Sequence, residues 1–160
     1  MDQIIARLYE NIPTSIIALI TSFITAFIAV KWSISKFYAE KGWERKEKAY
    51  EEIINCLYDL LQYCEIEKND FGDGAGYSDQ KIRELGEKYS KAFWNIKRAT
   101  AIGEFIVSVD ALKVLEKLKE RPILNWDENA PFDVFDHEYQ YYKDALKQII
   151  EVAKNDLRLK

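Results

Sequence analysis

The chain has 160 residues, with 23 Lys/Arg against 27 Asp/Glu and a net charge of −4. That length leaves room for one membrane span and one domain with a core of its own, and six Gly with three Pro leave long stretches free of helix breakers. The charge is uneven: residues 1–48 hold seven Lys/Arg against five Asp/Glu and residues 49–160 hold sixteen against twenty-two, so a broad basic face for direct nucleic-acid binding is excluded.

Residues 1–10 read as a short lead-in with Ile4, Ile5 and Leu8 on one side and Tyr9 suited to an interface. Residues 11–33 are the predicted transmembrane helix. Between Glu10 and Lys31 no side chain is charged, and twenty residues at about 1.5 Å each match the hydrocarbon core of a bilayer. Ten large apolar residues in that stretch (Ile12 through Val30) favour insertion by roughly 3 to 6 kcal/mol before the cost of the hydroxyls. A buried helix of a soluble protein would normally carry a polar face over this length. Here the polar groups are Ser and Thr, which can bond to their own helix. Pro13 is expected in the first turn of the span, where its missing N–H costs nothing. The lead-in is not the basic n-region of a cleaved signal peptide, and no small-residue cleavage site closes the run, so an uncleaved signal-anchor is expected.

Within the span Thr14, Ala18, Ser22, Thr25 and Ala29 recur at spacings of four, four, three and four, opposite Ile17, Ile20, Ile24 and Phe27. Such rows let helix backbones approach closely. With one span per chain the partner helix must come from another copy, so a homo-oligomer is expected; a pore lined by the hydroxyls is a narrower alternative, without charge selectivity because no ionisable group lies in the span.

Residues 34–160 are expected to form a helical bundle on the far side. Lys31, Lys36, Lys41, Arg45, Lys46 and Lys48 follow the span, whereas only Arg7 and the amino terminus precede it, which places the C-terminal bulk in the cytoplasm by the positive-inside rule. Trp32, Lys36, Tyr38, Trp43, Arg45 and Lys46 are the candidate interfacial anchor, in contact with the lipid bilayer. For Trp43 a turn into the domain core remains an equal reading. Gly42 is a candidate kink.

A helix with Tyr50, Ile53, Ile54, Leu57, Leu60, Leu61 and Cys64 inward is predicted to about residue 67. The glycine-bearing stretch 71–79 then turns the chain. It has no preceding strand and no following Lys-Ser/Thr, so it is not a phosphate loop. Ser78 or Asp79 caps a second helix to about 103, with Ile82, Leu85, Tyr89, Ala92, Phe93 and Ile96 inward. Phe105 to Val107 dip into the core, and Ser108 starts a short helix to about 119. Residues 121–133, with Leu124, Trp126 and Phe132, lie over the bundle, and Asp133 caps a last helix over 134–158. The fold class is therefore all-α: an N-terminal transmembrane helix continuing into an antiparallel bundle of three long helices and one short one.

Chemistry-bearing constellations are scarce. Cys56 and Cys64, about 12 Å apart on one helix, cannot pair and fit a reducing compartment. The sole histidine, His137, sits between Asp136 and Glu138, but neighbours on a helix diverge by about 100° and do not converge on a metal. No cofactor and no enzymatic activity are expected. Trp126, Tyr139 and Tyr141 are the candidate partner surface, because Tyr and Trp dominate interface hot spots; a ligand sensor would need a polar pocket.

The run Trp43-Glu44-Arg45-Lys46-Glu47-Lys48-Ala49-Tyr50, continuing to Ile53, Ile54, Leu57 and Leu60, together with Ala101-Ile102-Gly103-Glu104-Phe105-Ile106-Val107-Ser108, resembles a group of small single-span bacterial membrane proteins of anti-phage systems of the retron and cyclic-nucleotide-signalling kind. The likeness covers residues 12–120 and lies in core and interface positions. It implies an effector that perturbs or permeabilises the inner membrane when a cytosolic protein or ribonucleoprotein partner releases it. The alternative is a non-toxic anchor or adaptor that tethers a soluble complex there.

Overall fold

A computed structural model describes residues 2–74, 76–103 and 106–158, with the backbone alone given for 2–15, 73 and 102. Four helices account for nearly all of it: α1 (Asp2–Asp73), α2 (Asp79–Ile102), α3 (Val109–Lys119) and α4 (Pro131–Leu157). The expected all-α architecture of three long helices and one short one is what the chain adopts.

The chain divides into two compact units, Met1–Gly42 and Trp43–Lys160. The first is the N-terminal part of α1. Its backbone is helical from Asp2, so the lead-in is part of the helix and Pro13 stands in the helix interior, not in a first turn. Gly42, the candidate kink, is helical in backbone.

In the second unit, contacts between helices set the directions. Lys46 of α1 meets Asp156 of α4, and further along α1 Lys68 meets Asp136 and Phe71 stacks on Phe135. As numbers rise on α1 they fall on α4, so the two run antiparallel. Tyr63 against Tyr89, and Cys56 against Asn95, show the same for α1 and α2. The core between them holds Tyr50, Ile53, Leu57, Leu60 and Cys64 from α1, with Ala92 and Ile96 from α2. Ala111, Leu115 and Leu118 enter from α3, and Phe135, Tyr142, Ile149, Ala153 and Leu157 from α4. These are largely the faces that the 3.6-residue spacing marks.

The helix ends follow local chemistry. The Ser78 and Ser108 hydroxyls accept from the N–H groups of Lys81 and Ala111, as N-caps should. The last helix differs from expectation. It opens at Pro131, whose fixed φ suits the first helical position, with Ala130 at the cap and no side-chain bond there. Asp133 lies inside the first turn, where its charge complements the helix dipole. α1 also runs past 67: Glu67 is buried, Lys68 reaches Asp136 and Phe71 stacks on Phe135, so tertiary contacts hold the added turns. Gly74, at φ 64°, then ends the helix in a left-handed conformation that a side chain would resist. The Asp70 carboxylate fixes the loop by accepting from the N–H groups of Gly76 and Tyr77. After α2, Gly103 turns the chain: its carbonyl accepts from Ile106 and Val107. Val107 enters the core as expected while Ile106 stays exposed; Phe105, expected beside them, and Glu104 lie outside the described residues.

Candidate functional site: an exposed apolar helix and the polar centres of the helical unit

The described part of the first unit is a helix with its apolar side chains bare. Ile16, Ile17, Leu19, Ile20, Phe23, Ile24, Phe27, Ile28 and Val30 are each at least half-exposed. Water does not tolerate an uncovered apolar surface of this extent on a lone helix. The helix is long and apolar enough to cross a membrane. The three hydroxyls between Ile16 and Val30 need no partner outside the helix: Thr21 donates to the Ile17 carbonyl at 2.6 Å, Ser22 to Ala18 at 2.7 Å and Thr25 to Thr21 at 2.8 Å. Each side-chain proton is thus satisfied within the helix, as hydrocarbon surroundings require.

At 100° per residue, Ala18, Thr21, Ser22, Thr25, Ala26 and Ala29 fall within one arc of about 140°, and every large apolar residue from Ile16 to Val30 falls outside it. Thr21 and Ala26 therefore belong to the small-residue face read from the sequence. Thr14, the first member of that row, has a side chain outside the described residues.

Past the span, Trp32, Lys36, Tyr38 and Arg45 are exposed, and Phe37 meets Tyr38 edge-on. The other two members of the candidate anchor are placed differently. Trp43 is 43 % exposed, so it is neither swallowed by the core nor fully bare. Lys46, within the second unit, turns to α4, where its Nζ holds Asp156 at 2.6 Å.

That ion pair belongs to a polar cluster joining three helices. The Tyr50 hydroxyl donates to the other Asp156 oxygen at 2.7 Å, lies 3.0 Å from the Ser108 hydroxyl and accepts from the Ser108 N–H. Burial opposes the charge on Asp156, but the Lys46 ammonium and the Tyr50 hydroxyl outweigh it and hold the carboxyl below its usual range. Burial, with the nearby Asp156 charge, raises the Tyr50 phenol.

A second centre lies deeper. Arg121, just past α3, has Nε at 3.1 and 3.0 Å from the two Glu138 oxygens, a second prong from Nη2 to Oε2, and Nη1 on the Leu118 carbonyl at 2.9 Å. Nη2 also donates to the Tyr142 hydroxyl at 2.8 Å, which meets Tyr89 of α2 at 3.1 Å. Burial raises the pKa of both tyrosines. It works against the Arg121 cation, yet Glu138 restores and exceeds the lost stabilisation. Neither Arg121 nor Glu138 was singled out in the sequence. The available signal was Glu138 standing in the inward stripe between Phe135 and Tyr142.

The candidate partner residues have separate neighbours. Trp126 packs edge-on to Phe135 at 5.2 Å; Tyr139 faces the Lys68 and Lys143 ammoniums at 4.4 and 5.5 Å; Tyr141 meets the His137 ring at 4.9 Å. His137 is half-buried, and its Nδ1 has no hydrogen-bond partner among the described residues.

Among the described residues no three His, Cys, Asp or Glu side chains are grouped to hold a metal ion. Both cysteines are free and buried. Burial pushes the Cys64 thiol up to about 12, and Cys56 is raised by burial despite a bond from Asn95, so neither is an activated nucleophile. A cleft of 220 Å³ between α1 and α2 has apolar walls at Ala49, Ile53, Ile96 and Ala99, with Glu52, Asn95 and Arg98 also lining it, and an open polar groove of 480 Å³ between the same helices is lined by Glu51, Asp59, Lys88 and Lys91. No family model, no curated protein and no solved structure matches this chain.

Proposed function

We propose that this is a single-pass bacterial inner-membrane protein, N-terminus periplasmic and helical unit cytoplasmic, that acts as the membrane-perturbing effector of an anti-phage system. The observation that carries the membrane part is the exposed apolar run from Ile16 to Val30, each large side chain at least half bare, with its hydroxyls satisfied internally. The orientation rests on the basic residues that follow the span. The effector part rests on the segregation of Ala18, Ser22, Thr25 and Ala29 from the bulky residues, which suits self-association in lipid, and on the family resemblance of residues 43–60.

A second reading, a tether for a soluble complex, draws on the large exposed aromatics of the helical unit, Trp94 and Trp126 among them. Two measurements separate these readings. Expressed alone at high copy, an effector depolarises cells as followed by a potential-sensitive dye, and exchange of residues 12–30 for an unrelated monomeric span abolishes this. A tether leaves the potential unchanged and tolerates the exchange. If the full-length protein, made without detergent, stays in the supernatant after high-speed centrifugation, the membrane reading itself fails.

A further inference from the structure

Three segments bring aromatic rings to one end of the helical unit. Phe71 from the last turn of α1 stacks on Phe135 at 5.8 Å, and Trp126 from the connection before α4 meets the same ring edge-on at 5.2 Å. Phe132 covers the backbone of Gly72 so closely that a Cβ there would stand 3.0 Å from its ring. Phe135 is buried, yet the rings around it stay open to solvent: Phe71 and Trp126 are each 54 % exposed and Phe132 41 %. Large rings fixed in place and left half bare form a surface for contact.

The charged residues next to these rings in the chain are acidic. Asp127 and Glu128 follow Trp126, and Asp133 follows Phe132; all three are exposed and none forms an ion pair with a described residue. Asp70 precedes Phe71 and is half-buried against the Gly76 and Tyr77 N–H groups. Lys68, the cation on the neighbouring turn of α1, is held by Asp136 at 3.1 Å and lies over Tyr139. An acidic rim repels phosphate, whether of lipid or nucleic acid. It attracts guanidinium and ammonium groups, which also stack on aromatic faces.

We propose that this aromatic–acidic surface docks an arginine- or lysine-rich segment of a partner protein, with apolar or planar side chains seated on Trp126 and Phe132 and cations held by Asp127, Glu128 and Asp133. This goes beyond the membrane reading and is read out on the helical unit. Failure of insertion would leave it standing, and failure of docking would leave insertion standing.

The test uses the full-length protein in nanodiscs of zwitterionic phosphatidylcholine and a fluorescein-labelled peptide of alternating arginine and leucine, followed by anisotropy. Binding is expected, weakening as salt is added. D127K/E128K is expected to weaken it at least about tenfold, and W126A by a similar factor. D110K/E116K, which alters exposed acids on α3, leaves it unchanged. The charge reversal spares the fold, because the turn is held by the Asn125 carbonyl, which accepts from the Glu128 and Asn129 N–H groups, and by the Asn125 side chain on the Asp127 N–H. No binding, equal binding by wild type and D127K/E128K, or a patch-dependent dimer that the peptide does not disperse would each overturn the proposal.

Discussion

Arg121 and Glu138 form a two-pronged ion pair with their side chains only 8 % and 11 % exposed. Such a pair stabilises little relative to a well-packed apolar substitute, but leaving one partner alone strands a charge. Its effect here is to fix where the chain leaves α3 and how that exit meets α4.

Removing one member should therefore cost far more than removing both. E138Q or R121M is expected to lower unfolding free energy by about 3 to 5 kcal/mol, and R121M/E138L to recover most of it. Denaturant melts of the detergent-solubilised protein followed by circular dichroism give the three values. A double variant as unstable as the singles would refute the pairing.

The cluster at Asp156 predicts a pH dependence. Its folded pKa lies below that of a free carboxyl, so the unfolded state takes up the proton first. The stabilisation is fully present above the unfolded pKa and is lost as pH falls through the folded one. Thermal midpoints should fall on acidification below about pH 4, and D156N should flatten that limb while being less stable than wild type at pH 7. An unchanged acid limb would remove Asp156 from the account.

Thiol chemistry should be silent in the folded protein. With Cys64 pushed up to about 12 and Cys56 also raised, both buried, iodoacetamide at pH 8 should label neither until denaturant is added, since the thiolate is the reactive form. Rapid labelling of Cys64 without denaturant would show that α1 and α2 open locally there.

Among the described glycines of the helical unit, Gly103 leaves the least room for a side chain. A Cβ would stand 2.9 Å from Leu112 Cδ2 and 3.3 Å from Val107 Cγ2. G103A should destabilise by about 1 to 3 kcal/mol through overpacking. Adding L112A should remove the clash, so the double variant loses less than the two single losses added together. Strict additivity in chemical melts would exclude the clash as the cause.

Much of the fold can be read from residue order because helices are built from near neighbours. The stripe Tyr50, Ile53, Leu57, Leu60, Cys64 and the serines at 78 and 108 act within a few residues of themselves, and they fall where periodicity and capping place them. Boundaries that depend on distant partners were not readable. Residues 68–71 stay helical because Asp136 and Phe135, more than sixty positions away, hold them.

The same distinction divides the candidate sites. The uncharged run before Lys31 is a one-dimensional property, since length and polarity along a single helix decide whether it fits hydrocarbon, and the sequence alone determined it. Lys46 shows the limit: beside Arg45 and Lys48 it reads as one more headgroup cation, and only the return of α4 brings Asp156 within 2.6 Å of it. The Arg121–Glu138 pair and the aromatic end around Phe135 likewise join segments whose meeting depends on tertiary packing, and no spacing along the chain encodes that meeting.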